Sequence, residues 1–504
     1  MNLKKTFMAV ATLLCVATTM VAQQMPPVPA DPEFRVGRLE NGMTYYLRHN
    51  NWPENRAEFY IAQRVGSIQE DDNQRGLAHF VEHMAFHGSK HFKGNEVQRW
   101  FAKVGLKLGR DFNSYTSVDR TVYNVSNVPT TRQSVLDSCL LFLYDCADGL
   151  LLESEEIEKE RWMLHEGWRH MHASVQLRML ERNLPALYPN SKYGHRIPSG
   201  SIEIIDKCQP QLLRDFYKKW YRPDNQALII VGDIDVDQTE KKIKDLFSQI
   251  ATPGPDAAQV VEEAVPDNAE PIVVVDKDKE MALSYVSFMV KSDPLPRPLR
   301  ATMAGLIQNH VINAVTSMLN DRLTEAAKKA DCPFVQASAS YGTYLLSSPK
   351  DQFSIDVVAK EGQSIEAAMK AAIIEAHKAA QSGFSEAEYK LYKDKYTSQL
   401  ENRQAQKDKQ HNSSFVNQCL DNFLEGHAMP SIDFEHQAIT QLQPKVIMPK
   451  INQLLPEKLG KDYSNLVVLN FNQEKKGAVY PTRESLLAAI KEARRSAHDA
   501  PMGR

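Results

Sequence analysis

The chain has 504 residues, 42% of them hydrophobic and 24% charged, with a formal net charge of −3. Such a length exceeds what one hydrophobic core supports, about 250–300 residues, so two or more domains are expected. The near-neutral charge excludes the electrostatic footprint of a protein that binds nucleic acid or an anionic membrane surface.

Residues 1–22 carry Lys4 and Lys5, then an apolar run from Phe7 through Val21. This is the layout of a secretory signal peptide, too short for a membrane span. No later segment has about 20 consecutive apolar residues, so no stable span is expected after signal removal. Residues 23–34 are Pro-rich and read as an extended lead-in. Asn41-Gly42 between "RVGRL" and "MTYYLR" predicts a hairpin over Arg35–Arg48. "AEFYIAQRVGS" follows as a strand. Helical periodicity runs from about Gln74 to Phe86 and is closed by Gly88. A second helix spans about Glu96 to Val104, with Asn95 as its N-cap. "SYTSVDRTVYNVSNV" alternates and reads as β. Helices are predicted over Arg132–Leu151, Ser154–Met171 and Gln209–Lys219. "ALIIVG" is a short buried strand, and a helix to Phe247 follows it.

Residues 251–270 are rich in Pro, Ala, Asp and Glu without a period, and read as a linker. The domains expected are therefore 35–250 and 271–495. The second contains the strands "PIVVVDKD", "ALSYVSFMV" and "NLVVLNF", with long helices near Pro298–Lys329 and Ser364–Ser382. Six cysteines occur: Cys15, Cys139, Cys146, Cys208, Cys332 and Cys419. They are scattered, show no zinc spacing, and read as core residues rather than a disulfide framework.

The segment "GLAHFVEHMAFHG" carries the chemistry. His79 and His83, four apart on a helix, share one face and are spaced to hold one tetrahedral zinc. Glu82 is near the same face and placed to take a proton from a metal-bound water as general base. The order His-x-x-Glu-His is the mirror of the common metallopeptidase motif. Two histidines four apart also occur as ordinary surface residues, so the pentapeptide alone leaves both readings open. His83 and His87 form a rival pair, but residue 86 is Phe where a base would stand. His91 and His165 receive no role. No phosphate loop or dinucleotide fingerprint supports a small-molecule enzyme.

With these segments in view, the chain resembles the M16 metallopeptidases, most closely their bacterial periplasmic, PqqL-like branch. "NGMTYYLR", "RGLAHFVEHMAFHGSKHF", "GRDFNSYTSVDRTVYNV", "EEIEKERWMLHE" and "FYKKWYRPDNQALIIVGDID" occur in the family's order and cover most of residues 35–235. The resemblance implies an α+β protein of two homologous α/β domains, forming half or all of a clam-shell chamber around peptides or unfolded segments. It implies one Zn²⁺ per chain on His79 and His83, with Glu82 as catalytic base. It implies that "FNSYT" lines the cleft and pairs with substrate as an added strand, with Asn113 and Thr116 as substrate contacts. It also implies secretion across the inner membrane into the periplasm of a Gram-negative bacterium.

Two departures from the family pattern stand out. The family carries two glutamates seven apart on a downstream helix, and the later one binds zinc. The earlier maps to Glu160, counted with Glu82 among the catalytic residues. Seven residues on is Gly167, which cannot ligate, so the neighbouring Glu166 is the expected third ligand, aimed by a one-residue bulge near Trp162–His165; failing that, water or another carboxylate fills the position, or the site holds zinc weakly or not at all. The second departure is length, roughly half of the branch's usual chain. A second M16-like subunit or a homodimer is therefore an expected partner. The functional reading that follows is a secreted zinc endopeptidase acting on peptides or unfolded segments; its alternative is a catalytically weak or inactive partner subunit that binds peptides or completes a two-chain peptidase.

Overall fold

The computed structural model describes residues 25–499; the expected signal segment 1–22 lies outside them. Two mixed sheets organise the chain. The first contains β1 (Phe34–Arg38), β2 (Thr44–His49), β3 (Arg56–Gln63), β4 (Phe112–Thr116), β5 (Thr121–Pro129) and β6 (Gln226–Gly232), in the order β1-β2-β6-β3-β5-β4. The second contains β7 (Ile272–Asp278), β8 (Tyr285–Ser292), β9 (Phe334–Tyr344), β10 (Ser347–Ala359) and β11 (Leu466–Gln473), in the order β7-β11-β8-β10-β9. Set β1 aside and the two sheets are the same object. In each, the first strand pairs parallel with the last, and every other pairing is antiparallel. The two halves are thus homologous units of one topology.

The expected hairpin is β1–β2, paired antiparallel, with Gly42 at φ +98° in the turn, a conformation open to glycine. The helices expected from the sequence fall close to their places: α1 (Leu77–Met84), α2 (Gln133–Asp148), α3 (Ser154–Met171), and, after α4 (Val175–Leu187), α5 (Met303–Ala327) and α6 (Ile365–Ser382); α4 and the later α7 (Asn412–Glu425) are not among those expected. Helix α1 is shorter than its periodicity suggests, because residues 72–74 form a separate 3₁₀ turn before it. Asn95 takes the expected cap position without a side-chain cap hydrogen bond. The five cysteines among the described residues are free and buried. No described helix is long and apolar enough to cross a membrane.

β6 and β11 are buried along nearly their whole length, as a strand covered on both faces must be. One face of each sheet packs against helices of its own half. The other face is covered by a helix from the opposite half. Phe415, Cys419, Leu420 and Phe423 of α7 pack on Tyr46, Val122, Ile229 and Val231 of the first sheet. Reciprocally, Val175, Met179, Leu184 and Leu187 of α4 pack with Val274, Met289, Val467 and Phe471 of the second. The coil between β6's following helix and β7 is therefore not the only connection: the halves interlock.

Candidate active site

The site is built on α1, whose start is fixed by close packing. Gly76 stands at φ +105°, and a Cβ there would lie 3.0 Å from the Ile205 side chain. Gly200 lies backbone to backbone against it; a Cβ on Gly200 would meet the Gly76 Cα at 2.2 Å. Helix starts leave free amides that need acceptors. Here one fully buried carboxylate takes them: Gly76 N and Ala78 N donate to Glu70 at 3.0 and 2.9 Å. Burial pushes the Glu70 carboxyl up to about 8, while the two amides, Arg196 and Arg75 pull against it.

His79 and His83 follow on one face of α1, with their Nε2 atoms 3.2 Å apart. Two nitrogens at about 2.0–2.1 Å from one tetrahedral zinc stand roughly 3.3 Å apart, so the pair has the spacing of two ligands of one ion. Burial holds the His79 imidazole down at about 4, against the charges of Glu82 and Glu160. It is therefore neutral, as a ligand must be. Burial also acts to lower His83, but the hydrogen bond from its Nδ1 to Glu160 Oε1 at 2.7 Å, with the charges of Glu82 and Glu160, outweighs it and raises the group. Glu160 shows the converse. Burial alone would raise it, yet the bonds from His83 and His87 draw it down to about 2.

Glu82 is buried beside the pair, and its Oε2 accepts from Thr116 Oγ1 at 2.5 Å. β4 is the last strand of its sheet, so among the described residues one of its edges is free of strand pairing. Asn113, expected to contact substrate, is exposed on that edge strand. Thr116, expected in the same role, donates its hydroxyl to the candidate base.

Glu160 has both oxygens occupied, Oε1 by His83 and Oε2 by His87 Nε2 at 2.8 Å. Both contacts are to imidazoles, the carboxylate–histidine arrangement that fixes a ligand's tautomer. His87 is thereby part of the site. From the sequence it is visible only as half of a rival metal pair; its spacing of four from His83 was the available signal.

Glu166 is not brought to the histidines, and the expectation that it is the third ligand is corrected. Its carboxylate pairs with Arg169 at 2.9 Å and is 44% exposed. The physical reason is helical geometry. α3 is unbroken α-helix from Ser154 to Met171, so no bulge re-aims the side chain. It leaves the helix about 100° from position 167. Gly167 occupies the aimed position and has nothing to offer; a Cβ there would meet nothing within 4 Å. Among the described residues, no group of three or more His, Cys, Asp or Glu is arranged to hold a metal ion. The residues present supply two ligands and do not fit a retained three-ligand zinc.

Residues 46–197 match the family model described as Insulinase (Peptidase family M16), and residues 207–396 match that described as Peptidase M16 inactive domain. The chain is 36% identical over 244 residues to the "Probable zinc protease PqqL" of Escherichia coli (strain K12), covering 47% of this chain and 26% of that protein. It is similar in structure to the first half of the periplasmic protease PqqL from Escherichia coli, with a TM-score of 0.84 at 25% identity over 95% of this chain and 99% of that one. Against the PqqL structure of fuller length the TM-score is also 0.84, at 24% identity, with 51% of that chain covered. The chain thus spans about half of that structure, and its aligned part is about a quarter of the curated PqqL sequences.

Proposed function

The chain belongs to the M16 peptidase family, in its PqqL-like branch, and from that premise we propose that it takes up peptides or unfolded segments as an added strand along β4, beside His79, Glu82 and His83. The observation that carries this reading is the free edge of β4 ending at Thr116, whose hydroxyl donates to Glu82. An extended peptide on that edge passes beside the candidate base. With Gly167 in the third-ligand position, the chain acts as a peptide-binding M16 half with weak hydrolysis of its own, or none. A second M16-like subunit or a second copy then completes the working assembly, in the periplasm.

The zinc endopeptidase is the second reading. It is favoured by a specific observation, the two Nε2 atoms at metal-sharing distance with Glu82 buried beside them. In that reading His79 and His83 would hold the zinc, which would supply Lewis-acid chemistry, and Glu82 would serve as the general base.

The test measures binding and cleavage side by side. Anisotropy of a fluorescein-labelled unstructured peptide reads binding, and mass spectrometry of the same mixture reads products. Binding is expected in wild type and in Glu82→Gln, and its loss in Ser114→Pro, whose N–H lies on the free edge, provided circular dichroism shows the variant folded. No binding by wild type, or full binding by folded Ser114→Pro, sinks the proposal. Chelator-sensitive products that vanish in Glu82→Gln would select the second reading.

A further inference from the structure

We propose that zinc residence in this chain is decided at position 167: the wild-type site is an exchangeable two-imidazole site, and Gly167→Glu alone converts it to one that retains the metal. The inference rests on the M16 reading of His79 and His83, and is independent of peptide uptake along β4.

The register between α1 and α3 carries the argument. His87 reaches Glu160 and lies 4.0 Å from Glu156, while His83 reaches Glu160. Moving back along α1 thus moves forward along α3, so the helices run antiparallel. One turn further, His79 faces the level of Leu164. Helical side chains lean toward the helix N-terminus. A glutamate rooted at 167 therefore leans back toward that same level, beside the Nε2 of His79 that faces His83. Seven residues turn a helix by about 700°, nearly two whole turns, so 167 shares the face of Glu160.

The remaining requirements are already in place. Space exists, since a Cβ at 167 meets nothing within 4 Å. His83 is held by Glu160, so one ligand needs no reorganisation. Glu166 does not substitute, because its carboxylate is turned away onto Arg169. Two neutral imidazoles bring the ion no compensating charge; a carboxylate supplies both a third donor and that charge.

The test is zinc affinity of the purified full chain, by competition with a chromophoric chelator, with the zinc-induced shift in melting temperature as second readout. Loss of an outer partner of a ligand typically costs 10–100-fold in affinity, so gain of a ligand should exceed about 100-fold in Gly167→Glu. Gly167→Gln, similar in size and uncharged, is expected to gain far less. His79→Ala in the Gly167→Glu background should abolish the gain, and Glu166→Ala should leave wild-type affinity unchanged. The proposal is overturned if wild type holds zinc as tightly as Gly167→Glu. It is equally overturned if Glu166→Ala loosens the metal, or if folded Gly167→Glu gains nothing. None of these outcomes depends on the peptide anisotropy that tests the strand-addition reading.

Discussion

Removing the charge of Glu160 tests the electrostatics of the site without any metal. In the metal-free protein, Glu160 is 5% exposed and takes Nδ1 of His83 and Nε2 of His87. A carboxyl held at about 2 instead of 4.5 is stabilised by its neighbours by about 3 kcal/mol. The His83 side chain is 34% exposed, so solvent screening trims this to about 2 kcal/mol. The sign follows from the two directions. Glu160 is lowered, so its contribution is complete above about pH 4.5 and is lost as the pH falls toward 2. His83 is raised, so its contribution is complete below 6.5 and is lost as the pH climbs through its raised value. These are two views of one interaction and do not add. Urea unfolding of chelator-treated wild type and Glu160→Gln, compared from pH 4 to 9, should therefore show a difference that peaks near pH 5–6. The difference should shrink on both sides. A difference that stays flat across that range, or grows toward pH 9, would refute the assignment of Glu160 as the charge partner of His83.

Two further substitutions probe what holds the site in place. Glu70→Ala leaves the amides of Gly76 and Ala78 without their acceptor in a buried place. It should cost about 1–3 kcal/mol and raise amide hydrogen exchange in α1 above that in α2, and equal exchange in the two helices would count against it. Phe423→Ala removes a 3% exposed ring from the face of the first sheet. It should cost about 3–5 kcal/mol, and calorimetry should show both halves shifting together, since α4 and α7 tie each sheet to the other half; independent transitions would contradict the interlock.

Much of the fold was readable from local chemistry. The Asn41-Gly42 turn, the run "ALIIVG" and the periodicity of Ser154–Met171 each specify their element within a few residues. What was not readable depends on long-range pairing. Nothing in the local pattern of Val175–Leu187 or Asn412–Glu425 says that each covers the other half's sheet. The site divides the same way. His79, Glu82 and His83 follow from helical spacing alone. Glu70 stands six residues before Gly76 outside the helical period, so its role as acceptor for α1 had no periodic signal. Glu166 misled because proximity in sequence is not proximity in angle: one residue along a helix turns the side chain by about 100°.

The survival of the histidines in a site without its third ligand has a physical reason. Intact His79, Glu82 and His83 would favour catalysis if nothing else held them in place. The structure supplies another constraint for one of them. Glu160 is a buried carboxylate whose oxygens are taken by His83 and His87. Replacing either imidazole with an apolar side chain leaves an uncompensated buried charge, at a cost of several kcal/mol. Position 167 carries no such penalty, because it is exposed on α3 and touches nothing. A carboxylate at 167 would therefore be lost at little cost to the fold, whereas Glu160 constrains His83 and His87 independently of any metal. His79 is the discriminating residue. Among the described residues its ring is hydrogen-bonded to no carboxylate and meets the neighbouring imidazole of His83. If the histidine at 79 serves metal alone, His79→Ala should leave the stability of the chelator-treated protein within about 1 kcal/mol of wild type while abolishing residual zinc binding. A large loss of stability without metal would show that His79, too, is held by the fold.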